Sequence, residues 1–312
     1  MRCLILRSEK VFAPLRGRFQ RAGAGSGKLV TTKLIAQSLG YSRQYYYKQQ
    51  KQLEQIAEQK KAVKKLIDEQ RKLLPRLGVR KIYYQITPAL QQQGLKLGRD
   101  KLFAWMKEYD LLIKHRRRYV QTTNSKHWLG KYPNQIKGLS VTRPEQVWVS
   151  DITHIKTDEG NCFLNLVTDA YSRKIMGYSI ASNMEADTMK KAYEMALRGR
   201  HYPGAPLVHH SDRGLQYCSR EYVQLSNQHN VVISMTENGD PYENALAERM
   251  NRTLKEEFGL GRRLPSRQQA FRLAEQAVYL YNNFRPHLSL NMQTPQTVHL
   301  QKIPAPEAPG LS

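Results

Sequence analysis

Cysteine is scarce: Cys3, Cys162 and Cys218 are the only three in 312 residues. Widely spaced, they offer neither a disulfide framework nor a zinc-ligand pattern, and a reducing cytoplasm fits them best. Long apolar runs are missing as well. No stretch approaches the ~18 apolar residues of a membrane span. The opening MRCLILRSEKVF lacks an adequate apolar core and a small-residue cleavage site, so no secretory signal is expected. A phosphate-binding loop is also excluded. Gly23 to Gly27 is one residue short of the required spacing, and Leu29 follows Lys28 where Ser or Thr is needed. Acidic residues are lacking on one side only. Residues 1–145 hold 32 Lys and Arg against 9 Asp and Glu, whereas residues 146–312 hold 18 against 17. The net +24 therefore sits almost wholly in the first half. A basic half joined to a neutral half suggests a nucleic-acid grip attached to a separate working domain.

The length predicts about two domains. Residues 1–28 are expected to be a disordered basic tail, and 29–119 a helical DNA-binding region. TTKLIAQSLG reads as a short helix ended by Gly40, and Ser42 is placed to cap the next one. Two short helices around a Gly turn are the helix-turn-helix signature. Arg43, Gln44 and Tyr45 to Tyr47 would open the second helix, the one that enters a major groove. Residues 48–74 carry Leu53, Ile56, Val63, Leu66, Ile67 and Leu73 at helical spacing. They predict a solvated amphipathic connecting helix, with a short coiled-coil seam as the alternative. A second helix-turn-helix candidate breaks at Gly94 and resumes near Asp100, with Leu102, Phe103, Met106 and Leu111 on its buried side. Arg116, Arg117 and Arg118 form a basic cluster that can neutralise phosphates. Residues 120–145, with Pro133 and Pro144, read as a linker.

The working domain is expected over 146–260. VWVSDITHI alternates as a strand, and the patterns that follow give the order β-β-β-α-β-α-β-α, an α/β arrangement with a mixed sheet flanked by helices. Three carboxylates stand out within it. Asp151 lies on the first strand, Asp212 after the fourth, and Glu248 on a helix thirty-five intervening residues later. Carboxylates from two strand ends and a helix can converge on hard divalent cations. Such a cluster suits Mg²⁺-assisted in-line attack at a phosphodiester, in which two ions stabilise the entering and leaving oxygens. On the helix, Leu246, Ala247, Met250, Leu254 and Phe258 fall within an arc of about 120°. Asn244, Glu248, Asn251 and Lys255 project from the other side, so Glu248 and Lys255 share a face that need not be buried. Residues 261–312 predict a further helix over about Ser266 to Asn283 and a Pro-rich tail. Arg285 and His287 there are expected to serve packing and DNA-backbone contact.

Five separated strings carry a family resemblance: WVSDITHIKT, LVTDAYSRKIMGYSI, HHSDRGLQY, ENGDPYENALAERMNRTLKEE and YNNFRPHLSLNMQTPQTVH. In this order, and with this carboxylate spacing, the chain resembles the catalytic subunit of an insertion-sequence transposase of the IS-three family. At the fold level it is similar to retroviral integrases and other DDE recombinases. The resemblance implies a ribonuclease-H-like integrase core, a five-stranded mixed sheet flanked by helices, preceded by an all-α helix-turn-helix region. It implies metal-dependent cleavage at a DNA 3′ end and strand transfer, with Asp151, Asp212 and Glu248 as catalytic residues holding two Mg²⁺ ions, for which Mn²⁺ would substitute. Lys255 would hold DNA near the terminal phosphates, and His210, Gln216 and Asn244 would support the site or position DNA. The implied partners are the transposon's inverted-repeat ends and target DNA, a second copy of the chain or more, and a small helix-turn-helix subunit from an upstream frame. A bacterial, cytoplasmic, nucleoid-associated setting follows. Two alternatives remain on sequence alone: a helix-turn-helix regulator with an inactive core, and a nuclease or resolvase on the same fold.

Overall fold

The computed structural model describes residues 41–114, 132–183, 186–237 and 244–301. They divide between two compact units, one of residues up to 68 with 88–97, the other of residues 69–87 with those from 98 onward.

The first helix, α1 (Arg43–Leu73), runs unbroken for 31 residues. Ser42 starts it, its Oγ accepting from the Tyr45 backbone N–H at 3.1 Å. The sequence reading divided this stretch into a short groove-entering helix and a separate connecting helix. They are one element, because no Gly or Pro interrupts a run rich in Lys, Gln and Glu. Arg43 and Gln44 lie exposed in its first turn. The preceding helix of the first helix-turn-helix candidate, and Arg116, Arg117 and Arg118, lie outside the described residues. Helix α2 (Val79–Gln92) is followed by Gly94 at φ +65, and then by α3 (Arg99–Glu108). Leu102, Trp105 and Met106 form the buried stripe of α3. Phe103, expected on that side, is 48% exposed. It stands about 100° around the helix from Leu102 and leaves the stripe that Trp105 and Met106 complete.

The larger unit is built on β1 (Val147–Thr157), β2 (Gly160–Asp169), β3 (Ile175–Ala181), α4 (Ala186–Arg198), β4 (Leu207–Ser211), α5 (Arg220–Gln228), β5 (Val231–Met235) and α6 (Ala245–Glu257). This is the expected order. The sheet runs β3-β2-β1-β4-β5, with β1, β2 and β3 antiparallel and β4 and β5 parallel to β1. One face packs Trp148, Met189, Tyr193, Tyr217 and Tyr222 into an aromatic-rich core. The other packs Val147, Val149 and Ala170 beneath Ala247 of α6. Gly177 allows α4 to seat closely, since a Cβ there would stand 2.0 Å from the Ala192 carbonyl oxygen. After the sheet, α7 (Arg267–Phe284), capped by Ser266, and α8 (Pro295–His299) pack back on the unit.

A buried polar hub ties the two ends of this unit together. Glu145 is fully buried and accepts from Arg200 Nε at 3.1 Å and from the His201 backbone N–H at 2.6 Å. His299 of α8 bridges Glu145 and Ser172, at 3.3 and 3.0 Å. Asp169 in turn accepts from the Glu145 backbone N–H and from Ser172. The last part of the stretch read as a linker thus carries fixed contacts to the core. Among the described residues no helix is long and apolar enough to cross a membrane.

Candidate active site

The sheet itself positions the two aspartates. Strands β1 and β4 pair only from Val147–Val208 to Val149–His210. Asp151 follows two residues past the last pair, and Asp212 immediately after β4 ends at Ser211. Both therefore sit where two parallel strands part at their carboxyl ends, the place where open α/β sheets bind ligands. Asp151 Oδ1 accepts from the Ile152 backbone N–H at 2.8 Å, and Asp212 Oδ1 from the Gly214 N–H at 3.1 Å.

Helix α6 is pinned to β1 by two asparagines. Asn251 Nδ2 donates to Asp151 Oδ2 at 2.7 Å, and Asn244 Nδ2 donates to the Ser150 carbonyl at 3.0 Å. Both are buried, and in both the side-chain oxygen has no hydrogen-bond partner. Asn251 was assigned by helical projection to the face that need not be buried. It is buried because it reaches the strand, and it is the functional residue that projection missed. Its signal was its place three residues after Glu248, one turn along the same helix.

Electrostatics link the three carboxylates. Burial, then the nearby Asp212 charge and more weakly Glu248, push the Asp151 carboxyl up to about 7. Burial also raises Glu248, whose side chain lies at the exposed edge of α6. Lys255 is lowered by burial, with Lys156 adding to the effect and Asp151 opposing it. His154 is likewise lowered by burial and by Lys255 and Lys156. His154 and Lys156, on the same strand as Asp151, were not singled out from sequence. Among the described residues, no three His, Cys, Asp or Glu side chains stand close enough to hold one ion between them. The donor set nevertheless suits a hard cation: mutually repelling carboxylates, with the orphaned Asn251 oxygen beside Asp151.

The remaining predicted residues separate. Asn244 joins the site through Ser150. Gln216 lies half-buried in the short turn after Asp212. His210 is fully buried, its Nδ1 2.8 Å from Ser234 Oγ, and so braces β4 against β5. Its neighbour His209 supports Ser150, with Nε2 2.5 Å from that hydroxyl. Burial drives His209 down to about 3, so it works as a neutral ring. Arg285 is buried in a bidentate pair with Glu257, at 2.6 and 2.7 Å, and contacts His287. Both therefore serve packing, as expected.

A five-stranded mixed sheet with flanking helices, and carboxylates at the ends of its parallel strands, defines a ribonuclease-H-like integrase core. Two integrase core domain families match the chain, over residues 141–241 and 229–295. An insertion element IS600 31 kDa protein from Shigella sonnei is 36% identical over 213 residues, 68% of this chain and 78% of that protein. The transposase for insertion sequence element IS904 of Lactococcus lactis is 31% identical over 217 residues, 68% and 84% of the two chains. Among solved structures, the HTLV-2 integrase catalytic core domain in complex with magnesium aligns with a TM-score of 0.40 at 18% identity, covering 50% of this chain and 97% of that one. The chain belongs to the IS-three family of insertion-sequence transposases, polynucleotidyl transferases with an integrase core.

Proposed function

We propose that this transposase cuts a DNA 3′ end and joins it to a second DNA at one site built on Asp151, Asp212 and Glu248. The observation that carries the proposal is the Asn251 hydrogen bond to Asp151 at 2.7 Å. It couples the strand carboxylate to the helix that bears Glu248. Water first attacks the phosphodiester at the element's end and frees a 3′-hydroxyl, which then attacks a target phosphate. Both steps are displacements at phosphorus, so one site serves both without a covalent protein intermediate.

Asp151, Asp212 and Glu248 would hold two Mg²⁺ ions, whose chemistry is to stabilise the entering and leaving oxygens. Asn251 fixes the Asp151 carboxylate, and the Gly214 N–H fixes that of Asp212. Lys255, within electrostatic reach of Asp151, would steady the terminal phosphates. The basic helical region over 29–119, including Arg43 and Gln44, and the cluster Arg116 to Arg118 would grip the inverted repeats. The core over 146–260 would do the chemistry. Paired DNA ends require at least two copies of the chain, and a small upstream-frame subunit would add a further DNA contact. The working compartment would be the bacterial cytoplasm, on the nucleoid.

The test is an end-labelled duplex of the element's terminus with Mg²⁺ or Mn²⁺, with the upstream-frame product supplied in parallel. Wild type should give nicked and joined products, and Glu248→Gln neither. Tight binding without cleavage in every condition, or cleavage that survives Glu248→Gln, would contradict the proposal.

A further inference from the structure

At the amino-terminal ends of β1 and α6 lies a groove of about 670 Å³ to which neither catalysis nor packing assigns a role. That volume falls in the range of about 300–1,000 Å³ of sites that enclose a small organic ligand. Its apolar floor includes Val147, Val149 and Leu246, and Tyr171, Arg173 and Asn291 stand around it. Its placement is set by the same elements as the active site. Val149 and Asp151 alternate onto one face of β1. Ala245, at the groove, lies one turn before Glu248 and Arg249 on α6. Through Leu246 the groove lies along the apolar side of α6, the side away from Glu248.

Two features select its occupant. Arg173 is half-buried in the left-handed backbone region, at φ +64, which fixes the turn that carries it. Among the described residues its guanidinium has no carboxylate or carbonyl partner. Burial disfavours its charge most; Tyr281 and Asp169 oppose this in part, and Arg249 adds weakly to it. An unpaired, partly desolvated guanidinium seeks an anion, and its planar fork matches phosphate. Tyr171 is 37% exposed on the same turn and offers a ring on which a planar base can stack. Asn291 and Gln293 supply amides that can meet a base edge.

We propose that this groove takes one unpaired nucleotide of the DNA substrate, with its phosphate on Arg173 and its base against Tyr171. This rests on the DNA-cutting function proposed above, and it names where an unpaired nucleotide of that DNA is held.

The test uses the full chain carrying Glu248→Gln, so that no cleavage is needed. A duplex ending in a short unpaired run of iododeoxyuridine is bound, irradiated and mapped by mass spectrometry. A fully paired duplex serves as control, and gel shift measures binding in the same samples. Tyr171 should be the cross-linked residue, with the unpaired duplex only. Arg173→Gln should lower the yield about tenfold, equivalent to ~1.4 kcal/mol, at little cost in overall binding. Leu246→Trp, which fills the floor, should abolish the cross-link; Leu246→Met should keep it. Bound DNA whose cross-links map outside the groove, or a paired duplex that labels Tyr171 equally, overturns the groove proposal and leaves the cutting function standing. Failure of wild type to cut under the conditions above sinks the cutting function, whatever the cross-link shows. A chain that binds neither duplex overturns both.

Discussion

Glu145 and Asp151 are two carboxylates six residues apart in the same unit, and their surroundings drive them in opposite directions. Burial alone would raise Glu145, but His299, the backbone N–H groups of His201 and Tyr202, and Arg200 outweigh it and hold Glu145 down at about 2. Asp151 accepts from Asn251 and one backbone N–H, and burial with two neighbouring carboxylates outweighs them and pushes it up to about 7. Glu145 is surrounded by donors and cations, whereas Asp151 is left short of positive charge. The deficit at Asp151 is what a bound cation would fill.

The largest effect that separates the two is on activity. Asp151→Asn or Asp212→Asn should lower DNA cleavage by on the order of a thousandfold or more, the loss of several kcal/mol of transition-state stabilisation. Glu145→Gln should instead reduce activity mainly through loss of fold. Gel-based cleavage beside circular dichroism distinguishes these outcomes.

Stability should show the reverse pattern. Glu145→Gln breaks a buried ion pair, and chemical denaturation should register a loss of about 3–5 kcal/mol. Asp151→Asn should stabilise the metal-free fold. The sign follows from proton binding. The folded state holds the Asp151 proton up to about 7, while the unfolded chain releases it near 3.8. Wild-type stability is therefore favoured at low pH and lost as pH rises through this window. The gain from Asp151→Asn should be small near pH 4 and reach on the order of 2–4 kcal/mol at pH 8. Glu145 behaves oppositely: its contribution is present above 4.5 and disappears as pH falls toward 2. Denaturation midpoints across pH check both slopes.

Asn251→Ala should have a smaller effect. It removes the one side-chain donor to Asp151, so activity should fall about tenfold, equivalent to ~1.4 kcal/mol. The acidic limb of the pH–rate profile should move upward as Asp151 becomes harder to ionise, a change that mere loosening of α6 would not produce. Asn251→Gln should recover part of the rate if the donor matters. Smallest of all, Ser42→Ala removes the cap of α1 and should cost about 1 kcal/mol of helix stability, without altering the pH–rate profile.

The contrast also separates what sequence discloses from what it hides. Strand alternation and turn residues gave the order of the core elements, because each is encoded within a few neighbours. The spacing of Asp212 and Glu248 pointed to the site through family resemblance, since an isolated Glu on a polar helix face is otherwise unremarkable in sequence. Asn251 escaped, because a helical projection cannot show that an amide on the polar side reaches a strand 100 residues earlier. The Glu145–His299 pairing spans 154 residues and has no local signature at all. The continuity of α1 was legible in its lack of Gly and Pro, but the helix-turn-helix pattern divided it.

The proposed role of Asp151, Asp212 and Glu248 is to take up a divalent cation together. The most direct measurement is the melting temperature at pH 8 as Mn²⁺ is titrated, for wild type and for Asp151→Asn. Wild type should start lower and rise with metal, since a ligand that binds only the folded state stabilises it by mass action. Asp151→Asn should start higher and stay flat. Parallel rises in both proteins, or no response in wild type, would contradict the account.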